Sequence, residues 1–406
     1  MTANADLIAS SYIKLSLALD QHIPGYIDAY FGPTAWRTAA VAAGPQPVLE
    51  LAREAAELSA AITEAQGLDP QRRDWLLRQV AAMRTSLRLL AGERLTLVEE
   101  VAGLYDITPT WTDETVFEEV HRTLAALLPG SGSLAERLAA KKHATEISVD
   151  QARRLLPDIC AELRRRTRAH FPLPADDSFD VEFVSGQPWG AYNWYLGNCR
   201  SRIDVNTDLP LQIVGLSGLL AHEGYAGHHT ELSIKEDRLL HGLGWGEHCL
   251  ALINSPSCTI AEALAVRALE VLMSDGELIA WHAKEVFPQA GLGHLDAARE
   301  HAIGLARRRL AGVDGNAAFL LRDRAASQAE VIAYLERFSL RTEPEAHKLV
   351  SFLTAPLSSS YIFTYHAGGE LLDALFAARG EPVRWFRRLL TEPVTPSQVR
   401  AWIQER

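Results

Sequence analysis

The chain has 406 residues and a formal net charge of −11, enough length for two or three domains or one large enzyme. The acidic balance weighs against non-specific nucleic-acid binding, which needs Lys and Arg to neutralise phosphates. No apolar run reaches the roughly 18 residues of a membrane-spanning helix. Met1 to Ile13 has no basic segment followed by an apolar block, so neither a membrane partner nor a secretory leader is expected.

The first 170 residues carry apolar side chains three and four apart, the spacing of helices with one buried stripe. Leu49, Leu51, Ala55, Leu58 and Ile62 make one stripe; Leu76, Leu77, Val80, Met83, Leu87 and Leu90 make another. Breaks are expected at Gly32-Pro33, Gly44-Pro45, Gly67 to Pro70 and Pro129 to Ser133. Basic runs at 164–168, 307–309 and 384–388 read as solvated helix faces.

After a connector with Pro172, Pro174 and Asp176-Asp177, the texture changes. Phe179, Val181 and Phe183 alternate with polar residues, and Arg202 to Asn206 does the same, so strands are expected there. The aromatic and amide stretch from Trp189 to Asn198 reads as cleft wall. Helical texture returns from Asp208, an expected N-cap with Pro210 in the first turn. Thr395-Pro396 opens a last short helix. The expected division is a helical lobe over 1–175 and a catalytic lobe over 176–406, packed as one unit.

Four cysteines, Cys160, Cys199, Cys249 and Cys258, form no CxxC pair and read as reduced thiols of a cytoplasmic protein. The histidines are less even. Five of the 14, His222, His228, His229, His241 and His248, fall between residues 222 and 248. His222-Glu223 at the end of an apolar helix matches the start of the zinc motif HExxH. In that motif two histidines four apart share a helix face and the Glu activates water.

Here the fourth residue after His222 is Ala226. On a straight helix His228 would lie about 120° off the His222 face, and His229 about 10.5 Å along the axis. Neither reaches one ion bound at about 2.0–2.1 Å by each ring. A helix broken at Ala226-Gly227 would bring His228 back, with Gly227 allowing the break. This favours His228 over His229 as second ligand, the other ring serving beside the site or toward substrate. Glu262, flanked by small apolar residues near a helix start, is the expected third ligand, because buried carboxylates are paired or bind metals. Two histidines and one Glu leave a coordination position open, the catalytic arrangement. His241 and His248 flank the glycine-rich stretch of Gly242, Gly244 and Gly246 and read as loop or cleft residues.

His222 to His229 resembles the H-E-x-x-P-G-H-H hallmark of the domain-of-unknown-function family 885, bacterial proteins placed among the gluzincin-like (HExxH-type) metallopeptidases. Glu262-Ala263-Leu264-Ala265 is similar to that family's E-G-W-A helix, and Pro356 through Tyr365-His366-Ala367-Gly368 to its P…Y-x-x-G stretch. Pro24 to Pro33 is similar to the opening of one branch. The resemblance implies a mainly α, multi-helix, two-lobed metallopeptidase-like fold with one small β-sheet before the metal helix. It implies one Zn²⁺ per chain on His222, His228 and Glu262, and Glu223 as general base. Tyr365 becomes the donor to the oxyanion, with His366 a weaker candidate, and the strand Arg202 to Asn206 a backbone partner for substrate.

The implied activity is zinc-dependent hydrolysis of peptide or peptide-like amide bonds. A metal-dependent amidohydrolase on a small amide is the alternative enzyme. Ala226 for Pro and Ala263-Leu264 for Gly-Trp are departures on which a catalytically silent helical binding protein stands as the non-enzyme alternative.

Overall fold

A computed structural model describes residues 2–355 and 358–405. Pro356, quoted for its place in the C-terminal stretch, lies outside the described residues. The fold is mainly α, and no described helix is long and apolar enough to cross a membrane.

Local signals set most helix ends. Asp69 caps the Pro70–Leu90 helix by accepting the Arg72 N–H, and Pro70 sits in its first turn. Ser133, Ser148 and Ser327 each close a capping box. The four expected breaks all fall between helices. Leu51, Ala55, Leu58 and Ile62 are buried as one stripe, whereas Leu49 is 81% exposed.

Strands are short: β1 (Ile27–Tyr30), β2 (Glu146–Ile147), β3 (Ser178–Val184), β4 (Ala191–Gly197), β5 (Arg200–Asn206), β6 (Leu211–Gln212) and β7 (Leu250–Leu252). β3, β5 and β4 form one sheet in that order, with β3 parallel and β4 antiparallel to β5. β5 therefore has both edges occupied and cannot pair with a substrate strand, which corrects the expectation for Arg202 to Asn206. Asp208 is a second correction. It accepts the Gly186 N–H, and the chain first pairs Leu211 with Ile147 before the helix starts at Ile213. The Thr395-Pro396 helix is present as Pro396–Gln404.

Three apolar clusters hold the molecule together. The first joins the N-terminal helices to β7 through Leu76, Met83 and Leu250. The second joins residues around Leu97–Leu138 to those around Ile303–Phe363. The third joins the Val149–His170 helix to the Ile213–Glu223 and Pro256–Leu272 helices and to the C-terminal ones. Each draws from both sides of residue 175.

Candidate metal centre

The Ile213–Glu223 helix buries Ile213, Leu216 and Leu220 and ends at Gly224. The next helix, His228–Lys235, begins after a four-residue turn. The break forms without a proline: Ala226 is fully buried, and the Gly227 N–H bonds back to the Ala221 carbonyl at 2.9 Å. Gly227 has φ −82° and ψ −136°, so its requirement is space. A Cβ there would stand 1.8 Å from the His222 carbonyl oxygen.

This turn brings His222 and His228 together, ring centroids 4.8 Å apart and nearly perpendicular. Glu262 comes from the Pro256–Leu272 helix. His222 Nε2 lies 3.4 Å from Glu262 Oε2, and His228 Nε2 3.4 Å from Oε1. All three ligand atoms lie within 4.8 Å of one another. Two donors each about 2.0–2.1 Å from one tetrahedral ion stand about 3.4 Å apart, the separation of each of the two His–Glu262 contacts. Glu262 Oε2 is buried without a hydrogen-bond partner, an orphan that a cation would satisfy. The donor set, two imidazoles and a carboxylate, is that of catalytic zinc sites.

Glu262 is held from the other side by Tyr361, whose hydroxyl donates to Oε1. Tyr361 and Tyr365 sit one turn apart on the Ser358–Arg379 helix, and close packing of that helix on the Glu262 helix sets their place. A Cβ on Gly368 would be 3.0 Å from the Thr259 carbonyl and 3.2 Å from Ala263 Cβ. Small residues at the crossing thus let two tyrosines reach the site. Tyr365 lies 6.3 Å from the His222 ring, centroid to centroid. His366 instead pairs with Glu370 at 3.4 Å.

Glu223 Oε1 is 4.0 Å from His222 Nε2. Burial raises its pKa above the ordinary carboxylate range, with His222 and His228 opposing. Burial disfavours charge on Glu262 and His228 as well, but their mutual attraction wins, pulling Glu262 down and His228 up. The Asn193 amide on β4 fixes the end of the Ile213–Glu223 helix by donating to the Glu223 carbonyl at 2.7 Å.

His229 points away from the site. Its Nδ1 meets Ser201 Oγ at 2.8 Å and its Nε2 lies 3.6 Å from Asp177 Oδ2. Asp177 also accepts from Tyr225 at 2.7 Å, from Arg164 and from Arg168. Part of the first basic run is therefore a brace beneath the turn, which corrects its reading as a solvated face. His241 is 60% exposed at its side chain and pairs with Glu236, but it sits in the last turn of the helical segment Glu236–Gly242, which corrects its reading as a loop residue.

The His222, His228 and Glu262 cluster opens on a cavity of about 430 Å³. Trp189, Tyr192 and Asn193 wall it, in line with the cleft reading, and His248 lines it too. Pro24, Gly25 and Asp28 from the opening motif form part of the same wall. Asp28 accepts from Tyr192, and burial holds its carboxyl up at about 6. Sequence reasoning missed Asp177 and Tyr361. Tyr361 had a signal, its four-residue spacing from Tyr365.

No protein-family model and no curated protein matches the chain. Among solved structures, a candidate lipoprotein from Colwellia psychrerythraea is similar with a TM-score of 0.50 at 14% identity. That match covers 88% of this chain and 67% of the other. A candidate lipoprotein of unknown function from Shewanella oneidensis gives 0.49 at 11% identity, covering 91% and 76%. At 14% identity the first likeness is one of fold.

Proposed function

We propose that the chain is a zinc-dependent hydrolase of metallopeptidase type, related to the domain-of-unknown-function family 885 that its motif resembles. Its substrates are peptides or peptide-like amides. The observation that carries this reading is the convergence of His222, His228 and Glu262, whose Oε2 is buried without a hydrogen-bond partner, at a cavity, with Glu223 alongside. Four free thiols accord with a reducing, cytoplasmic setting.

Zinc bound there would supply Lewis-acid polarisation of the scissile carbonyl and of water. Glu223, its proton affinity raised by burial, takes a proton from the attacking water and hands it to the leaving amine. Tyr365 donates a hydrogen bond to the oxyanion that develops. Tyr361 holds the Glu262 carboxylate in one orientation. Backbone pairing with substrate falls to β4, an edge of the sheet whose first residues line the cavity.

The test is hydrolysis of a mixed peptide library by zinc-loaded protein, read by mass spectrometry. Glu223→Gln should retain zinc and lose turnover by about 10²–10⁴-fold. Turnover that survives in this variant would end the assignment of the base.

A further inference from the structure

The cavity continues past the metal ligands to side chains that the proposed chemistry leaves unused. Trp75 and Gln79, one turn apart on the Pro70–Leu90 helix, both reach Ser257 in the first turn of the Pro256–Leu272 helix. The Trp75 indole N–H donates to Ser257 Oγ at 2.9 Å, and the Gln79 amide N–H at 2.7 Å. His248 lies against Trp75, ring centroids 4.6 Å apart at 35°. All four line the cavity.

Two atoms of this cluster are buried without a hydrogen-bond partner, Gln79 Oε1 and His248 Nε2. Gln79 is 1% exposed and His248 9%. Unpaired buried polar atoms are destabilising, and two of them at one cavity wall point to a ligand that pairs them. Ser257 adds a third group. Its oxygen already accepts two hydrogen bonds, so its O–H is left to donate. Side by side, Ser257 offers a donor and Gln79 an acceptor. Turning the Gln79 amide over exchanges the roles: its N–H becomes the unpaired group and the freed Ser257 lone pair accepts. One donor and one acceptor remain in either state.

A flat, uncharged group with adjacent C=O and N–H matches this pair. A carboxylate would set a second oxygen against Gln79 Oε1. An ammonium finds no free carboxylate in the cluster, because Glu247 is paired with Arg72 at 2.6 Å. His248 is kept neutral by burial, with Lys235 and Arg72 adding to the effect.

We propose that Trp75, Gln79, His248 and Ser257 form a subsite for a primary carboxamide, the side chain of a glutamine or asparagine in the substrate. The peptide context rests on the hydrolase reading above. Ser257 and Glu262 are five residues apart on one helix, about 7.5 Å along its axis and about 140° around it, so the subsite and the metal ligands meet the cavity from different faces of that helix.

Alanine pentapeptides carrying one Gln, Glu or Met at each position in turn test this. They are titrated calorimetrically into zinc-loaded Glu223→Gln protein, and the wild type is assayed in parallel for cleavage. The best Gln peptide should bind about tenfold or more tightly than its Glu and Met counterparts, the worth of one well-placed hydrogen bond. Gln79→Met should erase the preference with zinc content unchanged. Ser257→Ala, which removes one hydroxyl, makes the same test should Gln79→Met not fold. Equal binding of the three peptides, no binding, or a preference that survives both variants overturns the subsite. A Gln preference without cleavage by the wild type supports the subsite and ends the peptidase reading. Cleavage with no preference overturns the subsite alone.

Discussion

Position 227 lies so close to His222 that a Cβ there would stand 1.8 Å from the His222 carbonyl oxygen. That contact is with backbone and cannot be relieved by turning a side chain. Gly227→Ala must therefore displace the turn and carry His228 with it. We expect zinc affinity to fall by about 100-fold or more, with about 2 kcal/mol or more of stability lost. Gly215→Ala and Gly218→Ala, in the same metal helix with open space around them, are the controls. They should be neutral or stabilise by up to about 1 kcal/mol. Calorimetric zinc titration and denaturant unfolding read both.

Tyr361 and Tyr365 share a helix and an aromatic contact, with ring centroids 5.5 Å apart, yet they should fail in different ways. Tyr361→Phe removes the hydrogen bond to Glu262 and should weaken zinc binding by about 10–100-fold. Tyr365→Phe should leave zinc binding unchanged and lower kcat by about 10²–10³-fold, as loss of an oxyanion donor does. Equal effects of both variants on zinc affinity would remove Tyr365 from the chemistry.

Asp177 braces the turn from below, and its carboxyl is held under the ordinary range. Burial opposes this, but His229, Arg164, Tyr225 and Arg168 outweigh it. A depressed folded pKa stabilises above the unfolded value of about 4 and loses that contribution as pH falls below it. Asp177→Asn should cost about 2–3 kcal/mol at pH 7, screening being strong because both arginines are more than a third exposed. The gap between wild type and variant should hold from pH 7 to about 5 and narrow below pH 4. Urea unfolding across that range measures it. A gap that widened in acid would contradict the charge on Asp177.

The broken helix was legible because two histidines six apart cannot share an ion on a regular α-helix, and a glycine stood between them. The meeting of Glu262 with both histidines was legible because a carboxylate among small apolar residues needs a partner. The brace was not. Asp177 belongs to the proline-rich connector, where no local pattern marks a burial partner, and its partners lie 13 residues back at Arg164 and 48 residues on at Tyr225. Asp208 misled because an acidic residue two before a proline is a local helix signal. The pairing of Leu211 with Ile147 that overrides it is a tertiary one. The Gln79–Ser257 contact spans 178 residues, beyond any local pattern. The strand Arg202 to Asn206 was read correctly as a strand, but its central place depends on β3 and β4 flanking it.

The most direct test of the account is zinc titration of metal-stripped wild type beside Glu262→Ala, followed by calorimetry and metal analysis. One tightly bound zinc per wild-type chain is expected, with loss of that site in Glu262→Ala. A wild type that takes up no zinc, or a Glu262→Ala protein that binds it as tightly, would contradict the centre built from His222, His228 and Glu262.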